Sequence, residues 1–509
     1  MDKEEALQFY KNYNEKCQAY ELALKTMFFD MSTIAPVNGN DYCIQMMSLL
    51  SGELYDYMIN PDHIDKLQQL HHMDLGEIIN KDIQLSLKEV NKTALLPKDF
   101  YIKMQQTYTK GEVVWRQAKN ANNYAMFKDC LKEIVAIKKQ SYQYYGVKKT
   151  LYDDMLDDYE TGMSIEKYDH FFNAIKNRLV PFVKKVMNEG IFIDDTPLHQ
   201  NFEITKQEKV TELLKDYLHF QKENCYLGTT EHPFTTDFSL HDVRITTKYL
   251  ENSLISSLFS IIHEYGHALY HLNMDESLAG LKVASSMTCG MHESQSRFLE
   301  NYIGKRKSFW ICLYPQIQKI FPKQLKDLSL DQFVQMINVS QPSLIRTEAD
   351  ELTYPLHILI RYELEKDMIN GDVDFDHLDQ LWADKYEQYL GIRPADAKSG
   401  ILQDIHWSGG DFGYFPTYAL GSAFAAQFFQ EMNKDVDVDD VLAHHHFDVI
   451  NDWLKEHIHR YGALYNANEM MQKVTHQDFD VNIYIDYLIE KYSCLYHIKE
   501  SKNETRKFI

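Results

Sequence analysis

The densest chemistry in the sequence is His263-Glu264-Tyr265-Gly266-His267. Histidines four residues apart on a helix share a face and sit about 5.4 Å apart along its axis, so both rings can reach one Zn²⁺. The glutamate between them is displaced around the helix, where it can hold a water without filling the coordination site. On a helical wheel from about Ser253 to Asn273, Leu254, Leu258, Ile261, Tyr265, Ala268 and Leu272 take one face. His263 and His267 point the other way with Ser256 and Ser260, across a polar groove. His271 is excluded as a third ligand, since eight residues from His263 is about 12 Å along the axis. Glu276 is too near the helix end to fold back. Glu293 opens a second helical pattern, Met291 to Arg297, far enough on for a turn and an antiparallel return. Two histidines, one carboxylate and an open fourth position make a catalytic zinc arrangement, because a structural site would close its shell with Cys or His.

The elements that must position these groups are mostly helical. The 509 residues include only 20 glycines and 12 prolines, about half the usual share, which excludes a many-stranded sandwich or a string of linked modules. Helical periodicity runs from Glu4 to Met31, Asp99 to Lys119, Tyr124 to Tyr145 and Ile165 to Asn188. The exception is Glu231 to Leu250, read as a short β-hairpin around a turn at Ser239 to Asp242, immediately before the histidine helix. The expected architecture is therefore mainly α, a single domain over 1–509 into which the groove faced by the histidines is cut. Residues 1–225 form a helical wall and 226–509 carry the catalytic motifs.

Charge and cysteine usage narrow the setting. With 53 basic and 75 acidic residues the net charge is −22, which repels phosphates and anionic surfaces and argues against nucleic acid and membrane as partners. No signal-peptide core or run of 18 apolar residues is present, and the seven cysteines are scattered without a CxxC pair. These features predict a cytoplasmic protein with reduced thiols. His444-His445-His446 reads as a solvated surface cluster, and His457 and His459 as part of an exposed helix.

Several segments together carry a family likeness: His232-Pro233-Phe234, Asp242-Val243-Arg244-Ile245-Thr246, the His263 to His267 motif, His292-Glu293-Ser294-Gln295, Ile345 to Asp350, and Gly400 to Trp407. In this order they resemble the carboxypeptidase Taq family of metallocarboxypeptidases, over most of the chain beyond about residue 225. The first 220 residues match less well, with Phe28-Phe29-Asp30 standing where the family has Trp-Asp and Ile34-Ala35-Pro36 replacing its Met-Pro-Pro. Those changes read as altered packing or cleft lining. The resemblance implies a grooved helical fold of gluzincin type, usually a homodimer, that removes single carboxy-terminal residues from peptides with broad specificity. It implies Zn²⁺, or Co²⁺ in some members, held by His263, His267 and Glu293, with Glu264 as general base.

The remaining site residues follow from what such a reaction needs. An oxyanion requires a donor, for which Tyr418, with His406 second, is the candidate in the glycine-rich stretch His406 to Tyr418, partly by resemblance to helical peptidases of the angiotensin-converting and oligopeptidase type, with Tyr414 beside them. A free substrate carboxylate requires a cation. Arg346 and Arg244 can each pair with it bidentately, or each can be a structural partner of the aspartate in its own motif. His232, Gln403 and Asp404 are expected to shape the closed end of the groove, and the strand near Ile245 to Tyr249 to offer an edge to an extended peptide. Two rival readings remain: a helical zinc oligopeptidase or dipeptidyl carboxypeptidase, and a metal-binding scaffold without catalysis.

Overall fold

The computed structural model describes residues 2–499. Its architecture is helical apart from one small sheet. The predicted segments appear as helices Lys3–Thr33, Lys98–Asn120, Lys128–Tyr145 and Ile165–Glu189. The first of these opens on a capping box, in which Asp2 accepts from the Glu5 amide and Glu5 reaches back. Tyr124–Met126 forms a separate 3-10 turn ahead of the third, with Asn123 as its cap.

The sheet has three strands, β1 (Cys225–Thr229), β2 (Thr235–Ser239) and β3 (Asp242–Thr247), in the order β1-β3-β2. The expected hairpin is β2–β3, turning at Leu240 and His241. Sequence reasoning missed β1, which pairs parallel with β3. That pairing corrects the expected edge: Ile245 lies in the central strand with both sides occupied, and Tyr249 lies beyond it. The outer edges belong to β1 and β2, and on β2 the Asp237 carbonyl accepts from Lys25 Nζ at 2.8 Å.

Of four hydrophobic clusters among the described residues, two take in most of the buried side chains. A small one joins Ala6, Tyr10, Leu67, Ile83 and Val90 of the first four helices. The large one runs from Trp115 to Ile498 and takes in β3, the histidine helix and the C-terminal helices. Among the described residues no helix is long and apolar enough to cross a membrane, and all seven cysteines are free. The histidine triplet departs from its expected exposure at one position. His445 takes a left-handed backbone and stacks on Tyr217 at 4.8 Å, while His444 and His446 face solvent.

Candidate metal centre and active site

Three helices meet at the site: Leu254–Leu272 with the histidines, Cys289–Arg297 with Glu293, and Pro416–Asp435 with Tyr418. Glycines let their backbones touch. A Cβ on Gly266 would lie 2.5 Å from the Gln295 carbonyl oxygen and 2.7 Å from Ser296 Cα; one on Gly421 would lie 2.7 Å from Glu293 Cβ. Any side chain at either position would push the helices apart. Gly266, an unspecified position in the histidine motif, thus sets how closely Glu293 approaches the pair.

One nitrogen each from His263 and His267 and one oxygen of Glu293 lie within 4.8 Å of one another. Glu293 Oε2 is 3.8 Å from His263 Nε2 and 3.6 Å from His267 Nε2. The other atoms of two of these groups are already engaged. His263 Nδ1 is 2.8 Å from Glu300 Oε2, and Glu293 Oε1 accepts from Arg297 Nε at 2.7 Å. The facing Nε2 atoms and Glu293 Oε2, which also accepts from the Ser296 hydroxyl at 3.3 Å, could hold a cation, and a carboxylate behind a ligating histidine fixes its tautomer and orientation. Imidazole nitrogen with one carboxylate oxygen suits a divalent ion of the zinc type.

Glu300 was not foreseen from the sequence. It lies on Phe298–Gly304, where the helix after Glu293 widens to π geometry, a feature that recurs at functional sites. Arg297 bridges the two carboxylates, donating to Glu300 Oε2 at 3.0 Å through Nη1. Burial opposes ionisation of both glutamates, but Arg297 and His263 override it. They hold Glu293 well below the usual carboxylate range and Glu300 at about 2.

The Glu264 carboxylate receives the Thr235 hydroxyl at 2.6 Å, tying the first residue of β2 to the histidine helix. Opposite, His406 Nε2 is 3.3 Å from the Tyr418 hydroxyl, and the ring of Tyr414 lies 5.1 Å from that of Tyr418. Burial, then Arg346, lowers His406 to about 3, so it works as a neutral ring. Burial, then the neighbouring Tyr414, raises Tyr418 well above the ordinary phenol value and keeps its proton available as a donor.

Arg346 is buried beside them, its guanidinium 5.0 Å from the centre of the Tyr418 ring. Its Nε donates to Asp404 at 3.0 Å and its Nη1 to the Tyr354 hydroxyl at 3.3 Å. Asp404 is shared with Arg361, whose Nε donates at 2.7 Å. Gln403 accepts from the Arg346 amide and from Arg361. Gln403 and Asp404 are therefore braces for Arg346.

Two findings fix the lineage. The chain folds like solved carboxypeptidases: M32 carboxypeptidase from Deinococcus radiodurans R1 superposes with a TM-score of 0.93 at 27% identity, covering 97% of this chain and all of that one. The Pyrococcus furiosus enzyme gives 0.92 at 31% identity, over 96% and 99% of the two chains. The sequence profile described as carboxypeptidase Taq (M32) metallopeptidase matches residues 9–492. The chain belongs to the carboxypeptidase Taq family. Curated relatives agree: carboxypeptidase 1 of Bacillus subtilis (strain 168) is 38% identical over 480 residues, 94% of this chain and 96% of its own. Thermostable carboxypeptidase 1 of Thermus thermophilus is 32% identical over 485 residues, 92% and 94% of the respective chains. This metallocarboxypeptidase is thus a peptide hydrolase of a family that uses a divalent metal, and the profile reaches well into the amino-terminal helices where the sequence motifs are faint.

Within the metallocarboxypeptidase the remaining candidates fall outside the cluster just described. Arg244 is held bidentately by Asp242, at 2.9 and 2.7 Å, and lies over the rings of Phe238 and Phe29. It joins the sheet to the first helix. His232 is exposed in the loop between β1 and β2. His459, expected on an exposed helix, is instead fully buried: its Nε2 is 2.8 Å from Gln295 Oε1 and its Nδ1 is 3.0 Å from Asn273 Nδ2. It braces the Glu293 helix against the end of the histidine helix, whereas His457 remains exposed against Trp453. Glu365, fully buried, was also missed. It accepts from Trp407 Nε1 at 2.8 Å, from the Gly413 amide at 2.9 Å and from the Tyr152 hydroxyl at 2.8 Å, anchoring the loop between His406 and Tyr418.

Proposed function

We propose that this metallocarboxypeptidase releases single carboxy-terminal residues from peptides, with Zn²⁺ held by His263, His267 and Glu293 and with Co²⁺ as an alternative. The observation that carries the metal assignment is the pair of facing Nε2 atoms with Glu293 Oε2, each ligand fixed from behind or by its helix. When bound, the ion supplies Lewis acidity to a water and to the scissile carbonyl.

The protein groups do the rest. Glu264, oriented by Thr235, takes a proton from the attacking water and delivers it to the leaving amine. Tyr418, kept protonated and beside neutral His406, donates to the developing oxyanion. Arg346 receives the free carboxylate of the substrate, its guanidinium pre-set by Asp404 and Tyr354 so that little side-chain freedom is lost on binding. Arg244, paired with Asp242 and stacked on Phe238 outside the Arg346 cluster, takes the structural role. The outer edge of β2, running from Thr235 beside Glu264, pairs with the extended substrate backbone. A single catalytic domain, a cytoplasmic setting and a homodimer complete the proposal, supported by the family likeness and the free thiols. The −22 charge argues against nucleic acid and anionic membranes as partners.

The test is metal analysis combined with a residue-release assay. One bound ion per chain, chelator-sensitive release of one residue from a free-acid peptide and no cleavage of its amidated twin are expected. Equal cleavage of the amidated peptide would overturn the exopeptidase reading.

A further inference from the structure

Phe28 stands out among the aromatic side chains around β2. It is 46% exposed, whereas its neighbour Phe29 is 6% exposed. Phe29 already closes the contact between the first helix and the sheet, with ring distances of 5.8 Å to Phe234 and 6.0 Å to Phe238. Phe28 meets Phe234 alone among these rings, at 5.8 Å and a 60° tilt, and leaves one face to solvent.

Strand geometry says what that face can meet. Thr235 and Asp237 pair with Ile245 and Val243, whose buried side chains belong to the large core, and Thr235 touches Glu264. Phe234, Thr236 and Phe238 therefore project from the other side of the sheet, towards Phe28 and Phe29. A peptide laid along the outer edge of β2 beside Thr235, short of the Asp237 carbonyl that Lys25 Nζ occupies, presents successive side chains to alternate faces, one set towards Glu264 and the other towards the Phe234–Phe28 pair. The enzyme removes the carboxy-terminal residue, so the chain running away along β2 is upstream of the scissile bond.

We propose that Phe28 and Phe234 form an aromatic seat for one upstream side chain of the substrate, selecting aromatic and large aliphatic residues over small or acidic ones. The proposal rests on the β2-edge reading above for the direction of the peptide. An offset or edge-to-face ring contact, together with burial of the exposed face of Phe28, supplies the discrimination.

The test uses free-acid peptides with one fixed carboxy-terminal residue and Phe, Leu, Ala or Glu at each upstream position in turn. In the wild-type enzyme kcat/KM should favour Phe over Ala by about tenfold at one position, with Glu the poorest. Phe28→Ala should bring the Phe-to-Ala ratio towards one, and Phe28→Leu should leave it intermediate. A ratio unchanged in Phe28→Ala, including the case where all peptides slow in proportion, would overturn the seat. N-methylation of the backbone amides separates the two readings. Unaltered turnover of the methylated peptides with a Phe28-dependent ratio would support the seat and overturn pairing along β2.

Discussion

Two parts of this chain use apolar and polar side chains in opposite ways. Around the metal centre, charged groups are interior: Arg361 and Glu365 are fully buried, and each has its partners within bonding distance. At the turn joining helix Lys3–Thr33 to helix Asn40–Met58 the pattern reverses, with Ile34 76% and Val37 80% exposed, and Tyr42 in the first turn of the second helix 69% exposed. Uncompensated burial of an ion is costly, so the central network persists only as a complete set, in which removal of one member leaves another charge unpaired. Nothing comparable constrains the outer turn. The difference predicts where substitutions are felt.

Replacing Glu264 with Gln should have the largest effect. Turnover is expected to fall by about 10³-fold or more, within the range for loss of a general acid–base, while metal content by elemental analysis stays near one ion per chain. Retained turnover would remove Glu264 from the chemistry. Tyr418→Phe should cost about 10²-fold in kcat with little change in KM, as expected for a donor that acts on the transition state. A change confined to KM would place Tyr418 in ground-state binding instead.

The third expectation concerns pH. Glu160 is buried, accepts from the Gly290 amide at 2.9 Å through Oε2, and has no partner for Oε1, so a proton can reside there. Burial raises it from 4.5 to about 7, against the opposing hydrogen bonds from Thr288 and Gly290. A carboxyl raised in the folded state binds its proton more tightly there than in the unfolded chain. Its contribution is full below pH 4.5 and lost as pH rises through 7. Thermal melts should show that loss between pH 5 and 8, and Glu160→Gln should flatten this part of the profile. The smallest effect belongs to Val37→Asp in the outer turn, where stability is expected to move by no more than about 0.5 kcal/mol. A larger shift in Tm would show that this turn is as constrained as the centre.

What the sequence made legible follows the same division. The convergence of His263, His267 and Glu293 could be read because helical spacing and apolar periodicity are local signals, and the hairpin because β-branched and aromatic residues flank its turn. The braces could not. Glu300 depends on a helix changing its winding, β1 on parallel pairing with a strand beyond an intervening one, and Glu365 on a loop more than forty residues away. His459 was misjudged because its two partners come from distant helices. Gly266 sits in full view inside the motif, yet only the assembled helices reveal why a side chain there would separate them.

Arg297 carries one more consequence. Glu293 and Glu300 with this one guanidinium sum to a single negative charge, which draws a dication out of solution. Once the dication is seated the same group sums to a single positive charge. Within a molecule of net charge −22, that reversal would add a metal-dependent attraction for anions to the standing positive charge of Arg346 and Arg361 over Asp404. The apo protein should thus hold carboxylate substrates and products at Arg346 less tightly than the loaded one.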